Sequence, residues 1–169
     1  MSAIRDPLAV MYETGMLTRS GRQPLQWRKP VPDRNDWNRQ TVEAFRANKG
    51  QVGGVWEGRP LLLLTTTGAK SGQRRTNPVM YLREGDRLFV FASRGGGPTN
   101  PDWYHNLLAH PEVTVEIGDQ TYPAIAKPVT GEERDSIYAR WAQRYPQFRE
   151  YQENTTRSIP VIELAPHSA

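Results

Sequence analysis

The chain has 169 residues, 37% hydrophobic and 24% charged, with 14 glycines, 14 prolines and a net charge of +4. That length suits one domain of ordinary size with a short extra arm, large enough to bury a core without staples. It contains no cysteine, which excludes disulfide frameworks, thiolate zinc sites and cysteine nucleophiles. The opening residues, Met1-Ser2-Ala3-Ile4-Arg5-Asp6-Pro7, lack an apolar h-region, and no apolar run approaches the roughly 20 residues of a membrane span. A cytoplasmic chain is the expectation. Residues 1–55 read as an N-terminal helical and irregular arm. Its first part is a short helix over Asp6–Leu17, with Leu8, Met11, Tyr12 and Met16 on one face. Gly21–Asp36, rich in Arg, Pro and Gln, reads as irregular. Asn38–Lys49 reads as a helix stopped by Gly50.

From residue 56 to 169 the pattern is that of a barrel domain. Leu61–Thr67 is a continuous apolar and β-branched run, a buried strand. Gly68–Gln73 is a turn, Pro78–Arg83 a second strand, Glu84-Gly85-Asp86 a turn and Arg87–Ala92 a third strand. Three consecutive glycines keep Ser93–Asn100 irregular. Asn100 and Pro101 suit the cap and first position of a helix to Ala109. Val113–Ile117 and Thr121–Val129 are further strands around Gly118-Asp119. Thr130-Gly131-Glu132-Glu133 reads as a capping box opening a helix to Arg144. Pro146 interrupts, a second helical piece runs towards Asn154, and Ile159–Leu164 is the last strand. Short strands joined by hairpins predict an α+β, mainly β fold: a small β-barrel with packed helices. The glycines at 95–97 lack the spacing of a dinucleotide-binding turn, and there is no phosphate-binding P-loop motif.

Charge is unevenly placed. Residues 1–60 carry ten basic and six acidic groups, 61–110 six and three, and 111–169 six and nine. No acid occurs between Glu57 and Glu84, whereas Lys70, Arg74 and Arg75 cluster there with Thr65, Thr66, Thr67, Ser71, Gly68 and Gly72. Hydroxyls, free N–H groups and cations together make a cradle for an anion such as phosphate; the plain alternative is a solvated hairpin. Phe91-Ala92-Ser93-Arg94-Gly95-Gly96-Gly97 places glycines after a strand, where backbone can approach a flat ring, or simply form a turn. Asp102 and His105 stand one helical turn apart, but with Ser93 they lack the nucleophile elbow of a hydrolase. With only three histidines, no metal site is expected. Trp141, Tyr145, Phe148 and Tyr151 share one side of a helical stretch, as core or as pocket.

Together these segments resemble a known family. Leu63-Leu64-Thr65-Thr66-Thr67-Gly68, Lys70-Ser71-Gly72-Gln73, Arg75 and Asn77-Pro78 resemble the signature of deazaflavin-dependent nitroreductase family proteins. Ala92-Ser93-Arg94-Gly95-Gly96, Asn100-Pro101, Trp103-Tyr104 and Asn106-Leu107 match its next motifs in order. Tyr145-Pro146, Tyr151-Gln152, Arg157 and Ile159-Pro160 match its C-terminal part. The resemblance spans about residues 60–165 and implies a split β-barrel, FMN-binding-like, that binds coenzyme F420, an 8-hydroxy deazaflavin with a phosphate and polyglutamyl tail. It implies hydride transfer from the reduced cofactor to a quinone, a nitro compound or another electrophile. Carried over, Ala69, Lys70, Ser71 and Arg75 resemble the phosphate surroundings, and Thr76, Asn77, Pro78, Val79 and Met80 continue past the ring. Phe91, Ala92, Ser93 and Arg94 resemble the floor under the ring. Asp102, Trp103, Tyr104, His105 and Asn106 resemble further contacts, although Asp102 and His105 stand where the family is usually apolar. Ser93 is a candidate hydrogen-bond donor or proton relay. Tyr145 and Tyr151 are candidate catalytic and pocket residues. Met80 and Phe148 stand where well-studied members have tyrosine, and make the acceptor pocket more apolar.

Two other functions fit the same residues: an FMN-dependent flavoprotein of the split-barrel group, and a carrier that binds deazaflavin without turnover. Nucleic acid is not an expected partner, because the cations sit on one hairpin without interleaved aromatics. Cations at 19–39 beside Trp27 and Trp37 suggest peripheral contact with anionic lipid, and pairing through the sheet suggests a homodimer.

Overall fold

The computed structural model describes residues 34–167. The helix expected at Asp6–Leu17, nearly all of the irregular arm and Trp27 lie outside the described residues. Six strands are present: β1 (Leu61–Thr67), β2 (Arg74–Glu84), β3 (Arg87–Phe91), β4 (Glu112–Ile117), β5 (Gln120–Val129) and β6 (Val161–Pro166). Among the described residues the α-helices are α1 (Arg34–Ala47), α2 (Asp102–Ala109), α3 (Gly131–Arg144) and α4 (Gln147–Glu153). All paired strands are antiparallel, and they close into a barrel in the order β1-β2-β3-β6-β5-β4. Closure removes the free outer edges that an open sheet would expose.

Period-2 alternation divides each strand between two cores. Leu62 and Leu64 of β1 enter the barrel, where Leu88, Val90, Val113, Val115, Ile162 and Leu164 meet them. Leu61 and Leu63 face outward beneath Val42 and Phe45 of α1. Both faces of β1 are therefore buried, which explains its unbroken apolar run. Phe89 and Phe91 of β3 point away from the barrel into a second core with Ile137, Tyr138, Trp141 and Phe148 of α3 and α4. There Phe91 stacks on Trp141, with centroids 4.6 Å apart and planes at 9°. Trp103 and Leu107 of α2 complete the barrel core.

Several boundaries differ from expectation. Strand β2 begins at Arg74, not Pro78, because β1 continues pairing through Thr65↔Thr76, Thr66↔Arg75 and Thr67↔Arg74. The polar look of residues 74–77 hid this stretch, although the Thr65 and Thr76 hydroxyls bond across it at 2.8 Å. Strand β2 meets β3 only from Tyr81 onward, so residues 74–80 have β1 on one side and no strand on the other. Pro78, which lacks a backbone donor, is tolerated in such a half-paired stretch. The capping box is not formed. Thr130 precedes α3 without a side-chain cap, and Glu133 accepts from Arg87 at 2.8 Å instead. Asn100 is not a cap either: Pro101 holds that position, and Asn100 Oδ1 accepts from Arg157 at 2.6 Å. In both cases a charge-assisted bond replaces a neutral one. Ile159 precedes β6, its N–H donating to Gln152 and its carbonyl accepting from Arg134. Helix α1 starts four residues before the expected Asn38 and takes in Asp36.

Candidate functional site

A groove of about 840 Å³ follows the half-paired edge of β2. Asn77, Pro78, Val79 and Met80 all line it. Consecutive strand side chains point to opposite faces, so the groove meets β2 along its edge and not on one face. Its other walls are the Gly68–Gln73 hairpin, the turn after β3, the start of α2, α4 and part of α1. Five residues at about 3.3 Å each put Arg75 and Met80 some 16 Å apart along the strand. The two ends differ in chemistry.

The hairpin end is cationic. Lys70, Ser71 and Arg75 line it, and neither cation pairs with a carboxylate among the described residues. Arg74 turns to the opposite face and donates to Thr67 and Thr114. The hairpin is closed by Gly68 N–H to Gln73 O at 2.7 Å and by Gln73 N–H to Ser71 Oγ at 3.1 Å. A Cβ on Gly68 would lie 2.4 Å from Ser71 Oγ, so a side chain there would push the Ser71 hydroxyl from its place in the turn. Asn106 of α2 fixes the hairpin from behind. Its Oδ1 accepts from Ala69 N–H at 3.0 Å, and its Nδ2 donates to the buried Thr66 hydroxyl at 3.2 Å.

The middle of the groove is floored by the turn after β3. Arg94 and Gly95 adopt positive φ of 47° and 63°, and Gly96 reaches 81°. A Cβ on Gly96 would lie 2.9 Å from Tyr151 Cα, so α4 rests directly on the turn's backbone. Arg157 holds that turn from beneath. It donates to Ala92 O (3.1 Å), Ser93 O (2.7 Å), Gly97 O (3.0 Å) and Asn100 Oδ1. Burial lowers its pKa; Tyr138 partly offsets this, and Arg94 adds to it. A planar five-donor guanidinium suits this converging set of acceptors.

The far end is apolar. Met80 packs against both the aromatic core and the α1 cluster. Phe148 and Tyr151 meet edge to face at 5.1 Å, and Trp56 lies 5.6 Å from Trp37. Trp37, named above for a lipid surface, therefore lies beside Trp56 on the groove wall.

Most of the residues singled out from sequence converge here: Ala69, Lys70, Ser71, Arg75, Asn77, Pro78, Val79, Met80, Phe91, Ser93, Arg94, Asp102, Trp103, His105, Asn106, Phe148 and Tyr151 all line the groove. Four do not. Thr76 is spent on its cross-strand hydroxyl pair. Ala92 is fully buried in the barrel. Tyr104 packs on the barrel core beside His105. Tyr145 is 8% exposed and packs 4.5 Å from Trp141. Its alternation with Phe148 put it on the right helical side, but the pocket lies one turn further on. Burial raises the Tyr145 pKa. Ser93, His105 and Asp102 share no hydrogen bond among the described residues. No cluster of three metal-ligating side chains occurs among those residues either. Sequence reading missed Asn35, Trp37, Asn38, Trp56, Arg59 and Gln147 as groove residues. Trp56 alone carried a signal, a large apolar residue between glycines 54 and 58.

Comparison with known proteins gives a consistent result. The family model described as F420H(2)-dependent quinone reductase matches residues 37–166. An F420H(2)-dependent quinone reductase of Mycobacterium tuberculosis (strain H37Rv) is 43% identical over 129 residues, covering 71% of this chain and 83% of the relative. A solved F420-H2 dependent reductase, FDR-A, is 43% identical with a TM-score of 0.58, covering 63% of this chain and 94% of that one. A solved chain described as a domain-swapped dimer is 39% identical with a TM-score of 0.60, covering 77% and 98%.

Proposed function

This chain belongs to the F420H(2)-dependent quinone reductase family, and from that premise we propose that its groove seats coenzyme F420 along the β2 edge and a quinone at the Met80 end. It is an oxidoreductase of the split β-barrel fold. The observation that carries the reading is the contrast between the two ends of one groove: Lys70 and Arg75, without a carboxylate partner among the described residues, at one, and Met80, Phe148 and Trp56 at the other.

The residues present fit the cofactor. Lys70, Ser71 and Arg75 offer donors and positive charge to an anionic tail. The Ala69 N–H is already given to Asn106, so Ala69 supports the shape of the cradle and Asn106 positions it. The open edge at residues 77–80 and the turn at Ser93, Arg94 and Gly95 present backbone to a flat ring. When bound, reduced F420 supplies the hydride, and the protein binds, orients and excludes water. Phe91, stacked on Trp141, holds the floor rigid beneath it. Ser93 and Tyr151 are the hydroxyl-bearing groove residues nearest the turn, suited to donate a hydrogen bond or pass a proton to the reduced acceptor.

Turnover is tested by mixing the full chain with reduced F420 and a soluble naphthoquinone and following the visible absorbance of the oxidised deazaflavin. Oxidation is the expected result. Binding of FMN alone would overturn the cofactor assignment, and F420 binding without oxidation would make the chain a carrier. A homodimer is proposed from the dimeric relative and is read from the mass in light scattering. Contact of the 19–39 segment with lipid is proposed from its cations, and flotation with anionic vesicles tests it.

A further inference from the structure

Three consecutive residues at positive φ stand in the turn that floors the groove: Arg94, which is not a glycine, then Gly95 and Gly96. Such backbone persists only where its surroundings fix it, and it gathers at functional sites. Arg157 does the fixing. Its bonds to Ala92 O and Ser93 O precede the strained residues, and those to Gly97 O and Asn100 Oδ1 follow them. No carboxylate pairs with Arg157 among the described residues, so the guanidinium serves here for the number and direction of its donors. Arg157 is in turn anchored to α4. Gln152 Nε2 donates to Arg157 O at 2.7 Å, while Gln152 Oε1 accepts from Ile159 N–H at 3.0 Å and from Arg134 at 2.7 Å. Helix α4 carries Phe148 and Tyr151 of the groove wall and rests on the turn at Gly96. One hydrogen-bond network therefore joins the floor of the groove to the wall opposite, although neither Arg157 nor Gln152 lines the groove.

We propose that Arg157 and Gln152 are positioning residues for hydride transfer, fixing the floor turn at Ser93, Arg94 and Gly95 against the α4 wall at Phe148 and Tyr151. This rests on the function proposed above, in which the cofactor ring lies on the turn and the quinone lies at the apolar end beside α4. Two electrons and one hydrogen leave a cofactor C–H bond as hydride for the quinone, and the proton released on cofactor oxidation completes the quinol. Such a step needs reacting atoms about 3–3.5 Å apart, and a 1 Å displacement caused by a remote substitution costs about a hundredfold in rate. Arg157 sets the height of the floor, and Gln152 sets where Arg157 stands relative to the wall.

The test uses the full chain with reduced F420 and a soluble naphthoquinone. Arg157→Lys keeps the charge but cannot reach four acceptors. Gln152→Glu keeps the bonds to Ile159 and Arg134 and loses only the donor to Arg157 O, so it retains the fold. Arg157→Lys should lower kcat about thirtyfold and Gln152→Glu about fivefold, with the quinone KM and the F420 Kd within threefold of wild type. In the ligand-free chain, amide exchange at Gly96 and Gly97, whose N–H groups close the turn onto Ser93 O and Arg94 O, should quicken about tenfold in both. Arg140→Gln, which removes the Glu84 ion pair away from the groove, should keep kcat within twofold. The proposal is overturned if kcat in Gln152→Glu stays within twofold of wild type, or if it falls while exchange at Gly96 and Gly97 is unchanged. It is also overturned if F420 or quinone binding weakens as far as kcat, or if Arg140→Gln lowers kcat equally, which would make lost stability the cause. A wild-type chain that binds F420 but reduces no quinone overturns the functional reading and this one with it; active wild type with unmoved variants overturns this one alone.

Discussion

Lys70 and Arg75 are cations without carboxylate partners among the described residues, and charge-assisted bonds to phosphate or carboxylate contribute about 1.5–3 kcal/mol each. Lys70→Ala and Arg75→Ala should each weaken F420 binding by about tenfold or more in fluorescence titration. The loss should shrink at high salt, because exposed charges are screened over about 10 Å at 0.1 M. Arg74→Ala should leave binding nearly unchanged, since its guanidinium is turned towards Thr114. Neither the run of residue types nor the acid-free stretch could separate Arg74 from Arg75. Strand alternation separates them, and it became readable only once β2 was seen to begin at Arg74. Tyr145 shows the opposite limit. Its helical spacing placed it with Phe148 and Tyr151, but the α3–α4 break at Pro146 turns it into the core. Tyr145→Phe should keep kcat/KM for quinone within about twofold of wild type, whereas Tyr151→Phe and Ser93→Ala should lower it.

At the scale of elements, the floor of the groove depends on two contacts that no side-chain pattern announces. Gly96 combines positive φ with a backbone-to-backbone approach to Tyr151. Gly96→Ala should destabilise the chain by about 1–3 kcal/mol, seen as a lower midpoint in urea, because strain and overlap both act there. Arg157 supplies the donors for three backbone carbonyls and Asn100. Arg157→Leu leaves those part-buried acceptors without their donor, at a cost of about 3 kcal/mol for the set. Elements defined by apolar burial were legible: β1 has the predicted bounds, and α3 ends at the predicted Arg144. Elements whose ends depend on competition for a polar side chain were not. Asn100 and Glu133 both have good local capping roles. Each is taken by an arginine distant in sequence, Arg157 and Arg87, whose position depends on the closed sheet.

For the whole molecule, ion pairs tie helices and strands of the barrel together. Arg140 of α3 grips Glu84 of β2. Arg87 of β3 holds Glu163 of β6 and Glu133 of α3. Arg46 of α1 holds Glu116 of β4. The Arg140 hydrogen bond lowers the Glu84 pKa, and the Arg87 hydrogen bond lowers that of Glu163, each against some desolvation. A carboxylate whose folded pKa is depressed adds stability that is present above its unfolded pKa. That stability is lost as pH falls through the folded value. The melting temperature should therefore drop progressively below about pH 4.5. The drop should be smaller in the double variant Glu84→Gln/Glu163→Gln, which begins from a lower melting temperature at pH 7. The barrel itself was legible from hairpin spacing and alternating burial. The split came from the family resemblance and not from strand patterning, because a half-paired edge looks like any polar strand until its neighbours are known.

That half-paired edge has an evolutionary consequence. Main-chain groups at residues 77–80 do not change when side chains do, so a flat cofactor seated there can be retained through wide sequence drift. The end proposed for the acceptor is lined by the side chains of Met80, Phe148 and Trp56. A lineage can therefore exchange one oxidant for another by point substitution at these positions while its source of reducing equivalents stays the same. The division between a main-chain seat and a side-chain pocket makes this barrel an economical starting point for new reductases.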